Sequence, residues 1–238
     1  MEGARVIDIA VVAFASYVAG AIPFSYIAGR IFGGIDLREH GSGNLGASNT
    51  YRLLGGRIAL AVLAGDLAKG FFPVLAAPVY APFGAVTGHW LMLVAGFFAV
   101  IGHMFSVFVG FSGGKGVATT AGAFLALSPL GLLSALVVFA AVFAAKRIVS
   151  LASIAGAVVL PWAVLFFDKA GIAPSHGSLF AVAVATSVVV LIKHHANIRR
   201  LLAGEEPVLQ RTKRRAGSKE PSDRTTSTGE PARKWTRG

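Results

Sequence analysis

The sequence predicts an all-α fold, a polytopic membrane bundle of seven transmembrane spans with the N-terminus outside and the C-terminus in the cytoplasm. Three observations predict it. Of 238 residues, 55 % are hydrophobic and 14 % charged, where a soluble domain carries about 25 % charged residues. Apolar runs of roughly 20 residues recur along the chain, and each can cross a hydrocarbon core of about 30 Å. Lys and Arg gather on one side of only one arrangement of those runs.

The runs at 6–27, 58–80, 89–111, 151–167 and 179–192 each read as one span. The stretch 117–145 is too long for one helix without strong tilt and short for two. Ser128-Pro129-Leu130-Gly131 breaks it, since proline removes a helix donor and clashes with the preceding turn. With that break as an external turn, Arg5 and Lys169 lie outside and Lys69 within a span. The other 19 of the 22 Lys/Arg are then cytoplasmic, as the positive-inside rule expects. A six-span arrangement would separate Lys146-Arg147 and the basic C-terminus from Arg30, Arg38, Arg52 and Arg57. The N-terminal region (Glu2, Arg5, Asp8) lacks the positive charge of a cleaved signal, so a retained first span is expected.

Two domains follow: a membrane domain over 1–206 and a basic tail over 207–238. The tail carries nine Lys/Arg against three acidic residues among Ser, Thr, Gly and Pro, a disordered composition. It is either a solvated extension or a contact for anionic lipid. The chain contains no cysteine, which excludes a thiol nucleophile and Cys-based metal sites.

On this topology four unusual stretches share the cytoplasmic face. Residues 39–50, Glu-His-Gly-Ser-Gly-Asn-Leu-Gly-Ala-Ser-Asn-Thr, precede Arg52. Glycines there let successive N–H groups face one concavity, a nest for anions. Ser42, Asn44, Ser48, Asn49 and Thr50 add donors, and Arg52 a charge suited to phosphate. The second stretch is Gly102-His103-Met-Phe-Ser106 with Gly113-Gly114-Lys115-Gly116-Val-Ala-Thr119. It resembles a phosphate cradle at a helix N-terminus, but the Ser/Thr that follows Gly-Lys in a nucleotide-hydrolysing loop is missing. In the third, Lys146-Arg147 lead to Ser150 and Ser153, as caps and interfacial anchors or as ligand contacts. In the fourth, His194 and Asn197 are three apart and share a helix face below the bilayer.

Asp66 and Lys69 lie inside a span at i,i+3 spacing, where mutual neutralisation makes them structural. His89 is interfacial, and His103 is a secondary candidate. There is no Gly-x-Ser-x-Gly elbow, no His-Glu-x-x-His, no His-x4-Asp dyad and no carboxylate cluster for magnesium. The residues thus describe a basic, donor-rich pocket for two phosphates, or for one phosphate and a developing oxyanion.

Together, Gly-Ser-Gly-Asn-Leu-Gly-Ala-Ser-Asn with Arg52, Asp66-Leu-Ala-Lys69-Gly, the Gly-His-Met-Phe-Ser and Gly-Gly-Lys-Gly block, and His194, Asn197, Gly204 and Glu206 resemble the bacterial PlsY-type acyl-phosphate:glycerol-3-phosphate acyltransferases. The resemblance spans about 16–207. Ser48 stands where the family usually has threonine. The family's seven spans and external N-terminus agree with the charge argument. The resemblance implies acyl transfer from acyl-phosphate to the 1-hydroxyl of glycerol 3-phosphate, giving lysophosphatidic acid and phosphate, without cofactor or metal. It implies a catalytic set of Ser42, Arg52, His194 and Asn197. Gly41, Gly43, Asn44, Gly46, Ser48, Asn49, Gly113, Gly114, Lys115, Gly116, Ser150 and Ser153 would bind substrate, and Glu206 would be structural. The partners implied are acyl-phosphate, glycerol 3-phosphate, membrane lipid and the enzyme that makes acyl-phosphate, with no nucleic acid. The location implied is the bacterial inner membrane, active site facing the cytoplasm. Two alternatives stay open. The proton of the attacking hydroxyl goes either to the leaving phosphate or to His194, and a small-anion transporter would use the same basic residues.

Overall fold

Proline and glycine set the ends of the helices. In the computed structural model, which describes residues 1–173 and 177–209, α1 (Glu2–Ala21) stops just before Pro23. Pro23 supplies no N–H for the next turn, so the first span bends instead of running smoothly to 27. A short α2 (Phe24–Ala28) and one π-helical turn (Gly29–Gly33) carry it to a left-handed Gly34. α3 (Ala47–Leu54) leads into α4 (Gly56–Tyr80). α5 (Gly88–Met104) ends well before 111, the limit expected from hydropathy. The amides of Gly113 and Gly114 fold back onto the carbonyls of Met104 and His103, each at 3.2 Å, and cap that helix.

The stretch 117–145 is broken at Ser128, giving α6 (Val117–Leu127) and α7 (Pro129–Lys146) with Pro129 in the first turn. α8 (Val149–Lys169), α9 (Ser178–Lys193) and α10 (His195–Leu202) complete the chain. The last two meet at 61° around His194. Leu209 donates its amide to the Arg147 carbonyl at 2.9 Å, so the chain is strapped to the start of α8 to that point. The rest of the expected tail, 210–238, lies outside the described residues.

Among the described residues all regular structure is helical. Five helical stretches are long and apolar enough to cross a membrane. The bent pair α9–α10 is a sixth, and α6 is shorter. The exterior is apolar: Phe14, Phe72, Trp162 and Ile192 all stand more than 60 % exposed, which only a hydrocarbon surround rewards. Between helices the contacts are made by small residues. A Cβ on Gly70 of α4 would strike the Thr119 carbonyl of α6, and one on Gly122 of α6 would strike the Leu67 carbonyl of α4. This close crossing draws the start of α6 against α4 and fixes Lys115 beside α3.

Candidate functional site

The C-termini of α5, α7 and α9 and the N-termini of α3, α6 and α8 lie at one end of the bundle. The N-termini carry positive dipole ends and the C-termini negative ones, so the preference of this end for anions rests on its side chains.

The loop leading to α3 is built around two residues. Asn49, 1 % exposed, donates to the Leu37 and His40 carbonyls at 3.0 and 3.1 Å and accepts from the Ser42 amide at 2.9 Å. Asp36 holds Arg38 through both carboxylate oxygens, and Arg38 reaches the Val109 carbonyl at 3.1 Å. The Arg38 hydrogen bond holds the Asp36 carboxyl well below its ordinary range. Gly41 and Gly43 are left-handed, which swings the exposed Ser42 to the loop tip. Asn44 and Ser48 are half-buried, Ser48 in the first turn of α3 behind the extended Gly46.

The expectation of nests of free amides is corrected here. The Ser42, Gly43 and Gly46 amides are bonded to Asn49, His40 and Asn44, and those of Gly113 and Gly114 cap α5. Asn49, expected to bind substrate, has its side-chain amide bonded within the loop and organises it. Gly113 and Gly114 matter for their lack of side chains. A Cβ on Gly114 would meet the His103 ring and the Leu45 carbonyl, so only glycine lets the lysine loop and the serine loop touch.

Lys115 reaches across to Asn197 Oδ1 at 2.6 Å. Asn197 in turn donates to Glu206 Oε1 at 2.6 Å, where Ser150 also donates at 2.6 Å. Arg200 holds the second oxygen at 2.7 Å. Burial would raise the Glu206 carboxyl, but the hydrogen bonds from Ser150, Asn197 and Arg200 outweigh it and hold it below its ordinary value. Burial lowers Lys115 to about 8, with the Arg200 and Arg52 guanidiniums adding to the effect and Glu206 opposing it. Arg52 is near enough for its charge to act on Lys115, and like charges at such a site favour a bound anion.

His194, 2 % exposed, is within electrostatic reach of Lys115 and Glu206. Its Nδ1 lies 2.8 Å from the Val190 carbonyl, which requires Nδ1 to carry the proton and leaves Nε2 as the acceptor. Burial lowers its pKa to about 4, so at neutral pH the ring is uncharged. Gly116, left-handed, opens α6 behind Lys115. Ser153 lies one turn beyond Ser150 on α8 and is buried. It lines an open groove with a cavity volume of about 60 Å³ between α6, α7, α8 and α9, walled by Val117, Leu132, Phe139, Ala157 and Leu160.

Beneath both loops, Lys69 pairs with Asp66 at 2.8 Å and donates to the Ile22 carbonyl at 2.7 Å. His103 lies 3.5 Å from the same Asp66 oxygen. The pair neutralises itself, and Lys69 also satisfies a carbonyl left at the Pro23 break. Ser106 does the same for Ala21.

The sequence profile of the family described as glycerol-3-phosphate acyltransferase matches residues 10–204. The chain belongs to that family. A glycerol-3-phosphate acyltransferase of Trichlorobacter lovleyi is 45 % identical over 193 residues, 80 % of this chain and 92 % of the relative. That of Geobacillus kaustophilus is 42 % identical over 199 residues, 83 % of this chain and 94 % of the relative. The crystal structure of PlsY, an integral membrane glycerol 3-phosphate acyltransferase, in its glycerol 3-phosphate form superposes with a TM-score of 0.74 at 37 % identity. It covers 85 % of this chain and 96 % of that one. Its lysophosphatidic acid form gives 0.72 at 36 %, covering 84 % and 94 %.

This acyltransferase is thus an integral membrane protein of the PlsY fold. Two contributors escaped the sequence reading: Arg200, the third ligand of Glu206, and the Asp36–Arg38 clasp between the serine loop and residue 109. Asp36 is one of few acidic residues on that face and stands two from an arginine, which was the available signal. Nothing in spacing marked Arg200 over its neighbour Arg199.

Proposed function

We propose that this acyltransferase moves a fatty acyl group from acyl-phosphate to the 1-hydroxyl of glycerol 3-phosphate, giving lysophosphatidic acid and inorganic phosphate, the first step of bacterial phospholipid synthesis. One observation carries the reading. Lys115 reaches Asn197, which shares the Glu206 carboxylate with Ser150, and one turn further along α8 Ser153 lines an apolar groove. A charged acceptor and a lipid-borne donor need that adjacency. The names of the relatives, all glycerol-3-phosphate acyltransferases, supply the acceptor.

In this reading Arg52, Lys115, Asn197, Ser150 and His194 hold glycerol 3-phosphate, with Gly116 and the amides opening α6 behind them. Ser42, framed by Gly41, Gly43, Asn44, Gly46 and Ser48, faces the phosphate of the donor, and the acyl chain lies past Ser153. The 1-hydroxyl oxygen attacks the acyl carbonyl carbon, and the charge that develops on the carbonyl oxygen is met by the site's cations and donors. The C–O bond to phosphate breaks, and the hydroxyl proton goes to the departing phosphate, whose second pKa is near neutrality, about 6 for a phosphate ester. His194, neutral with Nε2 as acceptor, orients the hydroxyl.

We assign seven spans with the N-terminus outside and the site facing the cytoplasm of the bacterial inner membrane. α6 leads away from the site end and α7 returns to it, which keeps Arg30, Arg52, Lys115, Lys146 and Arg199 on one side. The enzyme that makes acyl-phosphate is then the natural neighbour on that side.

Purified protein in detergent, given both substrates, should release phosphate only when both are present. Ser42→Ala and Arg52→Ala should abolish that release. Flux of glycerol 3-phosphate into liposomes without phosphate release would sink the reading and favour a transporter.

A further inference from the structure

The segment between α5 and the lysine loop presents an apolar surface that none of the described residues covers. Val107, Phe108 and Phe111 stand 47, 57 and 61 % exposed. Phe111 also sits at φ 59°, in the left-handed region, where a bulky side chain is strained. None of the described residues shields this strained phenyl, so its cover is to be sought outside them. The neighbouring π-helical turn adds Ile31 and Phe32, 68 and 65 % exposed.

The partner is indicated by charge and by continuity. The patch prolongs the apolar exterior of α1 beyond its broken end, through the exposed Ile22 and Ile27. Beside it Arg30 and Arg38 stack on the Tyr26 ring at 5.3 and 5.2 Å; Asp36 pairs with both, and the Glu39 charge acts on both as well. Aromatic side chains rimmed by guanidiniums match the boundary between acyl chains and anionic headgroups.

We propose that residues 105–111, with the turn 29–33, are seated in the headgroup region of the lipid leaflet on the site side, and that this seat holds both site loops at the depth where a lipid-borne donor arrives. The connections are direct. Val109 packs against Leu37 and Leu45 of the serine loop and accepts the Arg38 hydrogen bond. On the other side, Gly113 and Gly114 begin the lysine loop while bonded to the end of α5.

The chain has no cysteine, so single spin labels can be placed cleanly. Phe108→Cys and Phe111→Cys are labelled in proteoliposomes containing phosphatidylglycerol, with Glu205→Cys as a control on an exposed residue. Both labels should be far more accessible to oxygen than to a water-soluble nickel chelate, and Glu205 the reverse. Nickel access at 108 or 111 equal to that at 205 overturns the proposal. Protection from both reagents also overturns it, in favour of a protein partner. This depth measurement stands whether or not the protein turns over acyl-phosphate. The functional arm rests on the proposed reaction. Phe108→Ser with Phe111→Gly should lower turnover of a long-chain acyl-phosphate in vesicles about tenfold, while a short, water-soluble acyl-phosphate loses less than about twofold. Equal losses for both donors overturn the link to donor arrival but leave the depth result intact.

Discussion

Lys115 is half-buried and His194 buried, and lost hydration acts on both in the same direction with different consequences. Lys115, at about 8, keeps its charge at neutral pH and loses it as pH rises through that value. If it holds the phosphate of glycerol 3-phosphate, KM for that substrate should climb about tenfold between pH 7 and 9, the worth of one charge-assisted hydrogen bond. In Lys115→Met the KM should be high and flat across the same range. A wild-type KM independent of pH would remove Lys115 from substrate binding. His194, at about 4, is a weak proton acceptor at neutral pH, so a basic limb near neutrality belongs to substrate phosphate. His194→Gln keeps a hydrogen-bonding side chain and should raise KM while leaving that limb in place. Loss of the limb with a roughly 100-fold fall in kcat at constant KM would make His194 the base. The folded value lies below the ordinary histidine value, so the uncharged ring disfavours folding as pH falls from about 6.5 to 4, and the Gln variant should unfold less readily in that window. The sequence marked both residues as polar groups under the bilayer. It could not show that Asn49 is turned inward, because a loop rich in donors looks alike whether its amides face a ligand or one another.

Helix ends, more than helix interiors, decide what this protein can do. Ser150 lies in the first turn of α8, α10 carries Asn197 and Arg200, and Glu206 is the acceptor they share. Replacing Glu206 by Ala leaves Asn197 and Ser150 with unmatched donors in a poorly hydrated site, a cost of about 2–4 kcal/mol. For a chain of this size the thermal midpoint in detergent should fall by about 5–10 °C, and Lys115 should lose its fixed position through Asn197. An unchanged midpoint would mean that the strap 203–209 is held by the Leu209–Arg147 bond instead. Glu206 lies below its ordinary pKa, so its contribution is present at neutral pH and fades as pH falls through that range. Helix boundaries were legible where proline marked them, as at Pro129. The end of α5 was not, because Phe105 to Phe111 are apolar enough to pass for span. What stops the helix is the return of two glycine amides from beyond residue 111.

At the scale of the molecule, the groove belongs to four helices and could be read from none of them singly. Each of α6, α7, α8 and α9 is apolar all round, so hydropathy distinguishes neither the face turned to lipid nor the face that leaves a gap. The gap arises where small residues, Ala121, Ala135, Gly156 and Ala157, oppose one another across the bundle. Ala157 stands four residues beyond Ser153 on α8, about 6 Å deeper at the helical rise. A phenyl ring there would close the groove soon after its polar mouth without touching the cations. If the groove receives the acyl chain, Ala157→Phe should cut kcat/KM at least tenfold for a long-chain acyl-phosphate and spare a donor of about four carbons. KM for glycerol 3-phosphate should stay unchanged, because Arg52, Lys115 and Asn197 are undisturbed. Equal loss for long and short donors would instead indicate that the ring had spread α7 from α8, and a normal thermal midpoint separates the two outcomes. Unchanged use of the long donor in a properly folded variant would place the acyl chain elsewhere on the lipid-facing surface.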